Sequence, residues 1–141
     1  MTQNSFVGTW RLRSLEYRRA DGQVSYPFGR DFVGYIMYNE DGYMSVAIMS
    51  GNRPKFASGD LRGGTTEEKV AAADTYVSYC GKYKVQGDQV IHSIEVSFFP
   101  NWSGVEQIRF FEFKGNRLSL STPPFLAAGI QQTAHLIWER V

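Results

Sequence analysis

Four residues of this chain have the types and spacing to do chemistry together: His92, Glu95, Gln107 and Arg109. All lie in the stretch Val90 to Phe113, V-I-H-S-I-E-V-S-F-F-P-N-W-S-G-V-E-Q-I-R-F-F-E-F. A histidine titrates near neutral pH and can serve as acid or base. An arginine offers a planar fork of donors to a carboxylate, phosphate or enolate. The stretch reads as two strands about the turn Pro100-Asn101-Trp102-Ser103-Gly104, because aromatic and β-branched residues fill both arms. Ionisable residues set in an otherwise oily hairpin suggest a wall facing a cavity.

Alternation along a strand decides which of them share a face. In the second arm Gln107, Arg109, Phe111 and Phe113 form one face. Glu106, Ile108, Phe110 and Glu112 form the other, whose two carboxylates belong in water. Arg109 is therefore expected inside. In the first arm His92, Ile94, Val96 and Phe98 share a face, expected inside with His92. Glu95 lies opposite unless a bulge intervenes. If Glu95 instead lies across from Arg109, the two form a cross-strand ion pair and the site reading weakens.

The elements that must position these residues follow in chain order. Ser5 to Tyr17 reads as a first strand, and Arg18 to Gly29 as a long polar loop. Asp31 to Tyr38 and Tyr43 to Met49 form a hairpin about Asn39-Glu40-Asp41-Gly42. Pairing Tyr38 with Tyr43 puts Val33, Tyr35, Met37, Met44, Val46 and Ile48 on the inward face. Thr65 to about Thr75 reads as a short helix, with an N-cap and acids in its first turn. Tyr76 to Val85 returns to strand, with Tyr79 and Tyr83 in phase. Arg117 to Thr122 and Thr133 to Arg140 are the last strands, separated by the loop Pro123 to Gln132.

This gives an all-β fold: an eight-stranded antiparallel up-and-down barrel with one short inserted helix, a single domain over residues 1–141. Such a barrel can hold one small ligand. The long connections alternate with tight Gly-containing turns, so one end is closed and the other collects the irregular loops. Binding concentrates on such loops and mouths. The mouth is expected to gather Tyr17, Tyr35, Phe56, Tyr79 and Phe98, with Asn101, Trp102, Gln107, Phe125 and His135.

Composition bounds the function. Of 141 residues 43% are hydrophobic and 21% charged, which fits a globular chain. A net charge of +1 without a basic stripe argues against nucleic acid as a partner. Aromatics make up 15%, more than a small core usually needs, which fits an aromatic-lined pocket. Cys80 is the single cysteine, so no intramolecular disulfide or Cys-based metal motif exists. His92 and His135 lack metal-ligand spacing. No metal or cofactor is expected. No leader segment or membrane-spanning apolar run is seen, so the protein is expected in the cytoplasm. An outward Tyr38/Tyr43 pair with Phe110 leaves monomer or homodimer open.

Gly8-Thr9-Trp10 at the start of the first strand is similar to the Gly-x-Trp signature of lipocalins and related calycin barrels. More specifically, the chain resembles a bacterial and fungal family of lipocalin-like domain proteins. The resemblance rests on Val33 to Tyr38, Asp41 to Val46, Phe56 to Asp60, Tyr79 to Val85, His92 through Pro100-Asn101-Trp102, and Leu136 to Arg140, and covers nearly the whole chain. It implies a Trp at the barrel floor under a late arginine, for which Arg140 is placed. Some similar barrels act as cyclases or isomerases in secondary metabolism; others are inferred only to bind ligands.

Three functions follow. The first is binding of a small hydrophobic molecule, cyclic or aromatic, with His92 and Arg109 fixing its polar end. Its walls would come from Tyr35, Tyr79, Tyr83, Phe98, Asn101, Trp102, Gln107 and Phe111. The second is a cofactor-independent isomerase or cyclase in the same cavity, His92 moving a proton and Arg109 stabilising an oxyanion. The third is a structural or interaction module with a filled barrel. Each residue also has a plainer reading: a satisfied wall histidine, an internal salt bridge, a Trp lid, or core tyrosines with bonded hydroxyls.

Overall fold

A computed structural model describes residues 5–141. Eight long antiparallel strands close into a barrel: β1 (Gly8–Arg19), β3 (Phe32–Tyr38), β4 (Tyr43–Ser50), β5 (Tyr76–Gln86), β6 (Gln89–Ser97), β7 (Glu106–Lys114), β8 (Arg117–Ser121) and β10 (Ile130–Arg140). Each strand pairs with the next, and β10 pairs back onto β1 from Trp10↔Arg140 to Arg19↔Gln132. Two short strands fall inside segments expected to be loops: β2 (Val24–Ser25) and β9 (Phe125–Ala127). Among the described residues no helix is long and apolar enough to cross a membrane.

The helix α1 (Thr66–Asp74) starts as its sequence requires. The Thr65 hydroxyl accepts from the Glu68 N–H, and the Glu68 carboxylate accepts from the Thr65 N–H. The Glu68 carboxylate also accepts from the Ala57 N–H, which ties the preceding loop to the cap. None of the helix's residues is buried.

Two departures from the expected register matter for the site. The β3–β4 turn has three residues, Glu40 to Gly42, closed by the Asn39 N–H donating to the Tyr43 carbonyl at 2.8 Å. Tyr38 therefore pairs with Met44, not with Tyr43. A slip of one residue exchanges the faces of a strand. Gly34, Ile36 and Tyr38 point inward, while Val33, Tyr35 and Met37 point outward. Tyr38 is thereby removed from the outward pair that left a dimer open.

The second departure is a bulge in β6. Gly81 pairs with Ile94 and Cys80 with Val96, so Glu95 is the extra residue. Gly81 is required here, since a Cβ would lie 2.0 Å from the Ser93 carbonyl oxygen. Below the bulge His92 and Ile94 face inward. Above it Val96 and Phe98 turn outward, 64% and 46% exposed, and Glu95 is exposed as well. Arg109 pairs with Val90, so the Glu95–Arg109 ion pair does not form.

The floor is aromatic. Phe6 meets Tyr38, Phe111 and Phe113 edge-on, at centroid distances of 5.1, 4.9 and 4.9 Å. Trp10 is buried above this cluster and donates from Nε1 to the Phe6 carbonyl at 2.9 Å. The Arg140 guanidinium covers the Trp10 ring at 4.1 Å and donates to the Val7 and Ser5 carbonyls at 2.8 and 2.9 Å. This is the contact that the resemblance implied. It explains the glycine of Gly-x-Trp, because a Cβ on Gly8 would lie 2.6 Å from Arg140 Nη1.

Candidate functional site

Above the floor the barrel is open. Small and medium side chains on the upper rungs leave a cavity of about 610 Å³. Leu15 and Tyr17 from β1, Ile36 from β3, and Val46 and Ile48 from β4 form one side. Leu120, Ala134, Leu136 and Trp138 from β8 and β10 form the other. Phe28, Phe99, Trp102, Pro124 and Phe125 come from the mouth loops.

A polar cluster interrupts this apolar lining on the β5–β6–β7 wall. His92 is 1% exposed and held at both ring nitrogens: Nε2 lies 2.7 Å from the Tyr38 hydroxyl, and Nδ1 lies 2.8 Å from the Tyr79 hydroxyl. Burial, reinforced by the Arg109 charge, pushes His92 down to about 3. The imidazole is therefore neutral at physiological pH. Burial raises Tyr79 and Tyr17 above the usual phenol value, against the opposing Arg109 charge. Burial likewise raises Tyr38 well above it.

Arg109 sits beside this cluster, on the inward face of β7. Its Nη1 donates to Gln107 Oε1 at 3.2 Å and to the Ile108 carbonyl at 2.9 Å. Gln107 pairs with His92 across the β6–β7 ladder, so Gln107, Arg109, His92 and Tyr79 line one wall. Among the described residues no cluster of side chains could hold a metal ion.

Of the residues expected at the site, the fold brings His92, Arg109, Gln107, Tyr79 and Trp102 to the same cavity. Trp102 meets Tyr79 edge-on at 5.8 Å and Phe99 at 5.4 Å. The remaining expected wall residues lie elsewhere. Tyr35 is outside the barrel, its hydroxyl accepting from Arg11 at 3.3 Å, because the β3–β4 register is shifted. Phe98 faces outward above the bulge and meets Tyr76 at 5.5 Å. Tyr83 and Phe111 belong to the floor, where the Tyr83 hydroxyl donates to the Asn39 carbonyl at 2.8 Å. Asn101 is exposed in the short 3-10 turn Pro100–Trp102. Of the other mouth residues, Tyr17 and Phe125 line the cavity and meet edge-on at 5.2 Å. Phe56 lies against Gly64, and His135 bonds the Thr133 hydroxyl; neither lines the cavity.

Sequence reasoning placed Tyr38, the partner of His92, outside the barrel. Its signal was in the turn: Glu40-Asp41-Gly42 as a three-residue loop with Gly42 at φ 91° gives the observed register. Phe99 was missed in favour of Phe98, since alternation alone does not reveal a bulge.

Comparison with known proteins points the same way. A model of the lipocalin-like domain family matches residues 7–141. A protein of Aspergillus oryzae (strain ATCC 42149 / RIB 40), 4'-hydroxy-3'-methoxypropiophenone carrier protein ppsC, is 34% identical over 107 residues. The match covers 70% of this chain and 96% of that protein.

Proposed function

The chain belongs to the lipocalin-like domain family, and we propose that it binds and carries a small oxygenated aromatic molecule in the open half of its barrel. The observation that carries this reading is a largely apolar cavity of about 610 Å³ with its polar groups gathered on one wall. That volume suits a ligand of one or two rings. The apolar walls would take the ring, and Tyr79, Gln107 and Arg109 its oxygen-bearing end. The ligand in the relative's name, an aromatic ketone bearing a hydroxyl and a methoxy group, has this composition.

Neither alternative gains support from the geometry. A filled barrel does not fit the cavity. For an isomerase or cyclase, His92 is poorly suited to move a proton directly. Both its nitrogens are already bonded to tyrosines, and burial pushes its titration down to about 3, far below the pH range where a general acid or base works best.

The test is titration of the purified protein with 4'-hydroxy-3'-methoxypropiophenone, followed by calorimetry and by tryptophan emission, since Trp102 and Trp138 line the cavity. Saturable one-to-one binding that Leu120→Trp abolishes, by filling the cavity, is the expected result. Absence of saturable binding by this ketone and by its ring-substituted analogues overturns the reading.

A further inference from the structure

Among the described residues Arg109 has no carboxylate within ion-pair distance. Glu106 stands at the rim on the opposite face of β7, exposed, with the Ser93 hydroxyl 3.4 Å from its carboxylate. The other titratable groups around Arg109 are Tyr17 from β1, Tyr38 from β3, Tyr79 from β5 and His92 from β6. Burial keeps all four neutral. The strands β4, β8 and β10 contribute no titratable side chain to the lining. A half-buried guanidinium facing an apolar cavity calls for an anion.

The hydrogen bonds add a direction. A neutral imidazole carries one N–H and one acceptor nitrogen. Tyr38 is 1% exposed, and among the described residues its hydroxyl has no hydrogen-bond partner other than His92 Nε2. Were Nε2 protonated, the Tyr38 hydrogen would be stranded in the floor. Tyr38 therefore donates to Nε2, the Nδ1 hydrogen donates to the Tyr79 oxygen, and the Tyr79 hydrogen is left for an acceptor in the cavity. Arg109 lies close enough to Tyr79 to act on its hydroxyl. A cationic and a neutral donor thus converge on one wall, an arrangement that stabilises a negative oxygen.

We propose that the cavity takes an aromatic molecule with an acidic hydroxyl and holds it as the oxyanion, between the Arg109 guanidinium and the Tyr79 hydroxyl. The inference rests on the small-molecule reading above and specifies the form in which the ligand is bound. Its proton is released to solvent on binding.

The experiment uses the intact protein and two probes. In 4'-hydroxy-3'-methoxypropiophenone the phenol is conjugated to the ketone, so ionisation moves its absorption to longer wavelength. Its methyl ether, 3',4'-dimethoxypropiophenone, has the same ring and carbonyl and cannot ionise. With the wild-type protein in excess, the bound phenol is expected to ionise at a pH lower by about one unit or more than the free phenol. Above the free phenol's pKa the ether is expected to bind at least about tenfold more weakly. Arg109→Gln should return the bound titration to the free one, and Arg109→Lys should restore part of the shift. A bound phenol that ionises at or above the free pH, or an ether that binds as tightly as the phenol, overturns the inference and leaves the binding reading standing. If neither probe binds, the binding reading itself falls and takes this inference with it. The wild-type titration decides between these outcomes even if the variants fold poorly.

Discussion

The lower and upper halves of the barrel are built on the same eight strands and differ in what those strands carry. The lower end holds Phe6, from just before β1, with Tyr38, Tyr83, Phe111 and Phe113, whose rings meet edge-on, and Trp10 tilted against Phe113, leaving no room. The upper rungs carry Leu15, Ile36, Val46, Ile48, Leu120, Ala134 and Leu136, which are too short to meet across the axis. Stability and binding are thereby separated along the barrel axis. The floor supplies dense contact, and the upper half trades contact for volume. His92 lies on the boundary, bonded to Tyr38 of the floor and to Tyr79 of the cavity.

Acid should strike that boundary hardest. The folded protein holds His92 at about 3, against an ordinary value of 6.5, so the unfolded chain binds the extra proton. Stability is then complete above 6.5 and falls as the pH drops towards 3, by roughly 4–5 kcal/mol in all. Denaturant midpoints of wild type and His92→Gln between pH 7.5 and 3.5 should converge as pH falls; parallel curves would contradict a buried neutral imidazole. Next in size is Trp10→Ala, expected to cost about 3–5 kcal/mol because the floor cannot collapse around the loss. A cost near zero would mean the floor is looser than its contacts indicate.

Arg140→Ala removes two hydrogen bonds to carbonyls and the cover over Trp10, and should cost about 1–2 kcal/mol without changing ligand affinity. A large affinity loss there would break the separation of halves. Trp102→Ala at the mouth is the converse: about 1 kcal/mol or less of stability, read by thermal melting, with a loss of affinity for the aromatic ketone of roughly tenfold. A mouth residue that mattered more to folding than to binding would break the comparison from the other side.

Much of this was legible in the sequence because period-two patterning and Gly-containing turns are local signals. The strand order, the capped helix, the closed and open ends, and the inward faces of Arg109 and His92 all follow from them. The errors have physical causes of their own. A turn of three residues instead of four exchanged the faces of β3, sending Tyr35 out and Tyr38 in. The bulge at Glu95 did the same to the upper part of β6. The hairpin of β9 with the start of β10 turns on Ala128 and Gly129, both at positive φ, and an alanine there gives no turn signal. A cavity was expected from the sequence, but its size and full lining were not readable. They depend on which side chains from different strands share a rung, and that is set by registers the sequence does not announce.

The seal between Trp10 and Arg140 also bears on the order in which the molecule assembles. The hairpins β3–β4, β5–β6 and β7–β8 are joined by tight turns and close over a few residues of chain. The seam pairs Trp10 with Arg140, positions 130 residues apart. The entropy lost in bringing chain segments together grows with their separation, and distant pairings slow folding. The seam is thus expected to be the costliest closure and the latest. Weakening it at Arg140 should quicken unfolding while leaving the refolding rate nearly unchanged.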